Sequence, residues 1–191
     1  MEIKHLSSPP LFLGDNLALD FINSEYGTGD NRHDCFDDAR SVIDWLERVS
    51  LVPTGTVAPP ELLEEARQLR DAARAVVHAA MKSSEADLTV VNRVLERGRP
   101  ERRLKWDRDM QRYGVEVCTG TDSSAGLLWP VADALVKLVT HEKFEYVRQC
   151  EAHDCILLFH DLSKSHRRRW CSMATCGNRM KVAAFRNRKG A

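Results

Sequence analysis

Two cysteine pairs of identical spacing constrain this chain more than any other feature: Cys150 and Cys155 are separated by four residues, Cys171 and Cys176 repeat that spacing, and fifteen residues lie between the pairs. Two matched pairs can close a tetrahedral site around one zinc ion, each sulfur at about 2.3 Å, and four protein ligands leave no position open for water or substrate. Such a site is structural rather than catalytic. The need for it is visible in the surrounding residues. The segment from Phe144 to Ala191 holds few large apolar side chains beyond Phe144, Tyr146, Ile156, Leu157, Leu158, Phe159, Leu162, Trp170 and Phe185. Metal binding, worth on the order of 10 kcal/mol in comparable small sites, supplies the folding free energy that so short a piece lacks.

The spacing predicts a knuckle at Cys150 to Cys155 entered from Tyr146 and Val147, a returning strand at Ile156 to Phe159, and a terminal helix opened by Cys176, whose amide end favours a thiolate-bound metal. This is treble-clef-like geometry. His153, His160 and His166 also fall in the module, but no pair of them is as regularly spaced as the thiols. Cys35 and Cys118 have no such partners and are assigned no role.

At 191 residues the chain has room for one main core and a small appended module, and 43% apolar with 29% charged residues is the balance of a globular protein. The expected division is a mainly helical domain over 1–140, carrying a small β-hairpin, and the zinc module over 141–191. No stretch approaches the roughly 18 to 20 apolar residues of a membrane span, and the start lacks a basic-then-apolar leader. The expected place is therefore the cytoplasm, away from membranes, where disulfides are rare and paired cysteines are better read as metal ligands.

Periodicity outlines the front domain. Leu17, Leu19, Phe21 and Ile22 fit a helical turn or two after a Gly14-Asp15-Asn16 turn, with strand and helix both open; Glu25 to Arg32 has the composition of a loop. Helical spacing predicts an amphipathic helix over Asp34 to Val49, with Asp34, Asp37 and Asp38 in its first turn. The clearest helix opens at Pro60 and Glu61 and carries Leu62, Ala66, Leu69, Ala73, Val76 and Ala80 in one stripe to about Met81. Ser84 and Asp87 are a candidate cap for a further helix ended by Gly98 and Pro100. Alternation through Leu104, Trp106, Tyr113, Val115 and Val117 predicts a β-hairpin between Arg102 and Thr119, and a last helix is expected over Leu128 to Thr140 with Pro130 near its first turn.

The formal net charge of zero hides an asymmetry: 141–191 holds 11 Lys plus Arg against 5 Asp plus Glu, which leaves 17 against 23 for 1–140. A basic module on an acidic body points to an anionic partner, DNA first. Arg167, Arg168 and Arg169 precede Trp170 and Cys171; Asn178, Arg179, Lys181 and Arg186 lie on the terminal helix, with Arg188 and Lys189 beyond. Arginine and lysine neutralise phosphates, and Asn178 and Arg179 have the chemistry to read adenine and guanine edges. The alternative for this last pair is that Asn178 caps or braces the finger while Arg179 pairs with Asp161. In the front domain, Asp20 and Asn23 either line a small-molecule pocket or brace helices.

Several motifs together carry a family resemblance: Cys150-Glu-Ala-His-Asp-Cys155, Phe159-His-Asp-Leu-Ser163, Arg168-Arg-Trp-Cys-Ser-Met173 and Cys176-Gly-Asn-Arg-Met-Lys181. They resemble the zinc finger named for its Cys-Gly-Asn-Arg sequence. The stretch Leu13-Gly-Asp-Asn-Leu-Ala-Leu-Asp-Phe-Ile-Asn-Ser24 is similar to the opening of the ABATE domain, the mainly helical unit that precedes this finger in bacterial stress-response transcription regulators; Asn16 and Ser24 stand where relatives usually carry His or Arg and Thr. The resemblance implies a zinc-containing DNA-binding regulator whose front domain senses a small-molecule effector or forms a homodimer. The competing expectation is an RNA-binding or protein-interaction module in which zinc only holds the tail together. No nucleophile elbow, phosphate-cradling glycine loop or open metal site points to an enzyme.

Overall fold

In the computed structural model, which describes residues 9–28, 31–118, 120 and 122–189, Leu17–Ile22 is a helix (α1). Asn16 sets its start. Its side-chain oxygen accepts from the N–H groups of Ala18 (2.9 Å) and Leu19 (3.4 Å), donors that a first turn leaves open. Ala18, Leu19, Phe21 and Ile22 are buried, so this short helix is part of the core.

The stretch expected as a loop is instead an antiparallel hairpin of β1 (Glu25–Thr28) and β2 (Asn31–Asp34), with Tyr26 opposite His33. Long-range ion pairs pin both strands at the open end of the hairpin, where Glu25 stands opposite Asp34: Glu25 meets Arg74 at 2.6 Å and Asp34 meets Arg70 at 2.6 Å. Asp34 therefore belongs to a strand and not to the first turn of the next helix. That helix, α2 (Ala39–Arg48), begins later than its apolar periodicity predicted, because Asp38 forms the cap: it accepts from Ser41 N–H at 2.7 Å, and Ser41 Oγ accepts from Asp38 N–H at 3.1 Å.

α3 (Leu62–Met81) turns Leu62, Ala66, Leu69, Ala73 and Val76 to the core as the stripe required. α4 (Thr89–Arg97) is not capped by Ser84. Asp87 accepts from the Thr89 N–H (2.8 Å) and hydroxyl (2.6 Å), while the Ser84 hydroxyl turns back to Ala79 O (3.2 Å) and closes α3. Gly98 ends α4 where a Cβ would strike the backbone of Ala125. The alternating segment is a hairpin, β3 (Glu101–Asp107) with β4 (Arg112–Cys118), pairing Leu104 with Val115; Thr119 lies outside the described residues. α5 (Ser124–Val139) starts a turn before the expected Leu128 and holds Pro130 in its second turn. The earlier start follows from Ser123, whose hydroxyl accepts from Gly126 N–H at 3.1 Å, and from the burial of Ser124 to Leu128.

α1, α2, α3, α4 and α5 surround one apolar core in which the Phe21 ring lies 5.4 Å from Phe36 and 5.3 Å from Trp45. After a 3-10 turn at Phe144–Tyr146, β5 (Val147–Gln149) pairs antiparallel with β6 (Leu158–His160). A π-helical turn at Met173–Gly177 leads into α6 (Asn178–Lys189). The C-terminal part is not a free tail. Successive strand side chains point to opposite faces, and β6 uses this to join two cores: Leu158 enters the core of the body, Phe159 that of the finger, and both are fully buried.

Candidate metal centre

The four cysteines converge from two loops. Cys150 follows β5 and bonds backbone to backbone with Leu157 (2.9 Å); Cys155 closes the turn on Ala152 O (3.1 Å), with Asp154 at a left-handed φ of 64°. Glu151 N–H donates to Arg169 O at 2.9 Å, which brings the second pair against the first. Ser172 caps the π-helical turn by accepting from Ala174 N–H (3.1 Å), and that turn delivers Cys176. The four sulfur atoms lie within 4.8 Å of one another and all four residues are buried. A tetrahedron of thiolates about 2.3 Å from zinc has edges of about 3.8 Å, so the cluster fits one structural zinc ion.

The donors around the sulfurs fit an anionic metal cluster as well. Cys171 N–H points at Cys150 Sγ (3.3 Å), and Arg179 Nη2 lies 3.7 Å from Cys176 Sγ while also donating to His153 O (3.2 Å). Hydrogen bonds from the Cys155 and Cys171 thiols hold Cys150 far below the usual thiol range, and the Cys150 thiolate in turn pushes Cys155 and Cys171 up. Cys150, Cys155 and Cys171 cannot all ionise this close together without a cation among them, which is the service a divalent ion supplies.

The Cys-Gly-Asn-Arg run now has a physical reading at each position. Cys176 is a ligand. Gly177 packs where a Cβ would come 2.9 Å from Met173 Sδ, Asn178 Nδ2 donates to Ala174 O at 3.3 Å, and Arg179 lies beside the sulfur. Arg179 does not pair with Asp161. That buried carboxylate accepts from Ser163 N–H (3.0 Å) and Oγ (2.6 Å) and from Arg168 N–H (2.8 Å).

The three consecutive arginines have separate surroundings. Arg168 is turned inward: Nε donates to Trp170 O (3.1 Å), Nη2 to Leu13 O (2.9 Å) and Cys171 O (2.5 Å), Nη1 pairs with Asp15, and the guanidinium lies 4.2 Å from the Phe159 ring centre. Arg169 is exposed, paired with Glu151 at 2.6 Å and stacked near Trp170. Arg167 is exposed on the rim of a groove of about 480 Å³ whose wall includes Ser163, Ser165, Arg169 and Trp170. Arg179, Lys181 and Arg186 are exposed along α6, and the side chains of Arg188 and Lys189 lie outside the described residues.

Asp20 and Asn23 sit at the joint between the two parts. Asp20 Oδ1 accepts from Gly14 N–H at 2.7 Å. Asn23 is buried, donating to Leu158 O (2.7 Å) and accepting from Leu158 N–H (3.0 Å). Spacing alone did not reveal this joint or the bracing by Arg168; the one signal for the latter was its place beside Trp170 and Cys171.

A helical body joined to a four-cysteine treble clef defines a two-part zinc-finger protein. Residues 15–142 match the ABATE family, described as "Putative stress-induced transcription regulator", and residues 146–189 match the CGNR zinc finger. The chain belongs to the ABATE family and carries a CGNR zinc finger at its C-terminal end. No curated protein matches it. Both families are of regulatory or zinc-finger type rather than enzymes. Among the described residues no helix is long and apolar enough to cross a membrane.

Proposed function

We propose that the protein is a zinc-dependent DNA-binding transcription regulator whose finger grips the phosphate backbone. The observation that carries this reading is the exposure of Arg167 and Arg169 at the groove walled by Trp170, and of Lys181 and Arg186 along the helix that follows the cysteine cluster. A projecting helix has the dimensions to enter a major groove, and exposed guanidinium and ammonium groups release counterions when they meet phosphate. Arg168 and Arg179 act within the fold, as brace and as neighbour of the metal sulfurs. Asn178, tied to Ala174 O, brackets the start of α6. Asp20 and Asn23, engaged with backbone groups, brace the joint rather than hold an effector.

A protein partner is the second reading, favoured by Val182 (49% exposed) on the same helix. One titration separates the two. Fluorescence anisotropy of a labelled mixed-sequence duplex is followed from about 50 to 200 mM salt, where affinity for DNA is expected to fall steeply. The triple variant Arg167→Glu, Lys181→Glu, Arg186→Glu is expected to keep its zinc and to reduce the salt slope by about 3, one for each phosphate contact. Absence of binding at the lowest salt overturns the DNA reading and leaves the protein partner.

A further inference from the structure

Among the described residues, the β3–β4 hairpin is a two-stranded sheet of the body whose apolar side chains are left in water. Strand alternation places Leu104 and Trp106 of β3 with Tyr113, Val115 and Val117 of β4 on a single face. These five are 72, 47, 69, 52 and 58% exposed. Their opposite face is satisfied within the chain, where Arg103 pairs with Glu101 (3.0 Å) and Lys105 with Glu116 (3.0 Å). An isolated two-stranded hairpin is marginal in water, and a contiguous apolar patch of this size marks a surface that meets something.

We propose that this face packs against the same face of a second copy of the chain, the two hairpins running in opposite directions about a two-fold axis. Area and charge both choose this occupant. The five side chains offer on the order of 500 Å² of apolar surface per copy, the larger part of the roughly 800 Å² that each partner contributes to a standard interface. The face is self-complementary, as a two-fold contact requires. Its one formal charge, Arg102, lies at the base of the hairpin opposite Val117, and the edge-to-face pair Trp106 and Tyr113, ring centres 5.0 Å apart, lies near the tip. Opposed hairpins set each Arg102 over the aromatic pair of the other copy, a favourable cation and ring contact. Hairpins running in the same direction would set Arg102 against Arg102. A single cation among five apolar groups is a poor match for nucleic acid or an acidic peptide, and the inference does not depend on DNA binding by the finger.

Sedimentation velocity of the zinc-loaded full chain over a micromolar concentration series tests this. Wild-type protein is expected to form a dimer. Leu104→Lys and Val115→Lys, on the apolar face, are each expected to weaken association about tenfold or more, since two copies of the new charge would be buried together. Arg112→Glu, on the opposite face, is expected to leave it unchanged. All of these positions are exposed or on the hairpin alone, so zinc content and helical signal serve as checks of folding. A monomer throughout the series, a dimer that persists in both lysine variants, or an equal loss with Arg112→Glu, which would mean edge-to-edge pairing, each overturns the proposal.

Discussion

Asn23 satisfies both hydrogen-bonding functions of the Leu158 backbone, donating to its carbonyl at 2.7 Å and accepting from its N–H at 3.0 Å, across 135 residues of chain. This amide stands in for a neighbouring strand. It completes the free edge of β6 and fixes the finger to the end of α1, so the zinc module and the helical body share one structural joint.

Replacing Asn23 by Ala leaves a buried N–H and a buried carbonyl without partners, at a cost of about 2 to 4 kcal/mol. Thermal unfolding should show a lower midpoint, and limited proteolysis should cut first in the segment between α5 and β5. A midpoint equal to wild type would mean that the joint carries no stability.

Arg168→Lys keeps a positive charge but cannot reach the carbonyls of Leu13, Trp170 and Cys171 and the Asp15 carboxylate together, nor lie flat on Phe159. We expect a loss of about 2 to 3 kcal/mol in denaturant unfolding. Arg167→Lys, at an exposed position, should be neutral. Equal stability of the two variants would contradict the inward role of Arg168.

Burial raises the Asp20 carboxyl to about 6 from 3.8, against the pull of the Gly14 hydrogen bond. A folded-state value above the unfolded one means that the folded protein holds the proton more tightly. The group's stabilising contribution is therefore complete below about pH 4 and is lost as pH rises through about 6. Asp20→Asn keeps an oxygen for Gly14 N–H and removes the charge, so at pH 7.5 it should raise stability by about 1 to 2 kcal/mol, allowing for the part exposure of the site. The gain should vanish near pH 4. A gain that is the same at both pH values would contradict this origin.

Where local physics alone sets the structure, the sequence was readable. The Leu62 to Val76 stripe is buried as its period requires, the Leu104 to Val117 alternation is a hairpin, and the doubled cysteine spacing becomes one cluster of sulfurs. Distant partners decided the rest. β1 and β2 pair within a Gly- and Asn-containing stretch because Arg70 and Arg74 of α3 hold the hairpin's open end, and the same contact takes Asp34 out of α2. The basic run at Arg167 to Arg169 is uniform in sequence, yet Asp15 and Phe159 draw only its middle member inward. The pattern of apolar residues also gave no sign that β6 would serve two cores at once.

Four clustered sulfur atoms hold one divalent ion, and that ion organises the finger. The direct measurement is metal content by plasma mass spectrometry of protein purified without added metal, alongside Cys171→Ser. The expected result is one zinc per chain, bound metal lost in the variant, and chelation that exposes the finger to protease while the body keeps its helices but melts at a lower temperature, having lost Leu158 from its core and the Asn23 bonds. Protein free of transition metal, with a finger that resists protease after chelation, would mean that the four sulfurs hold no ion and that the finger folds without one.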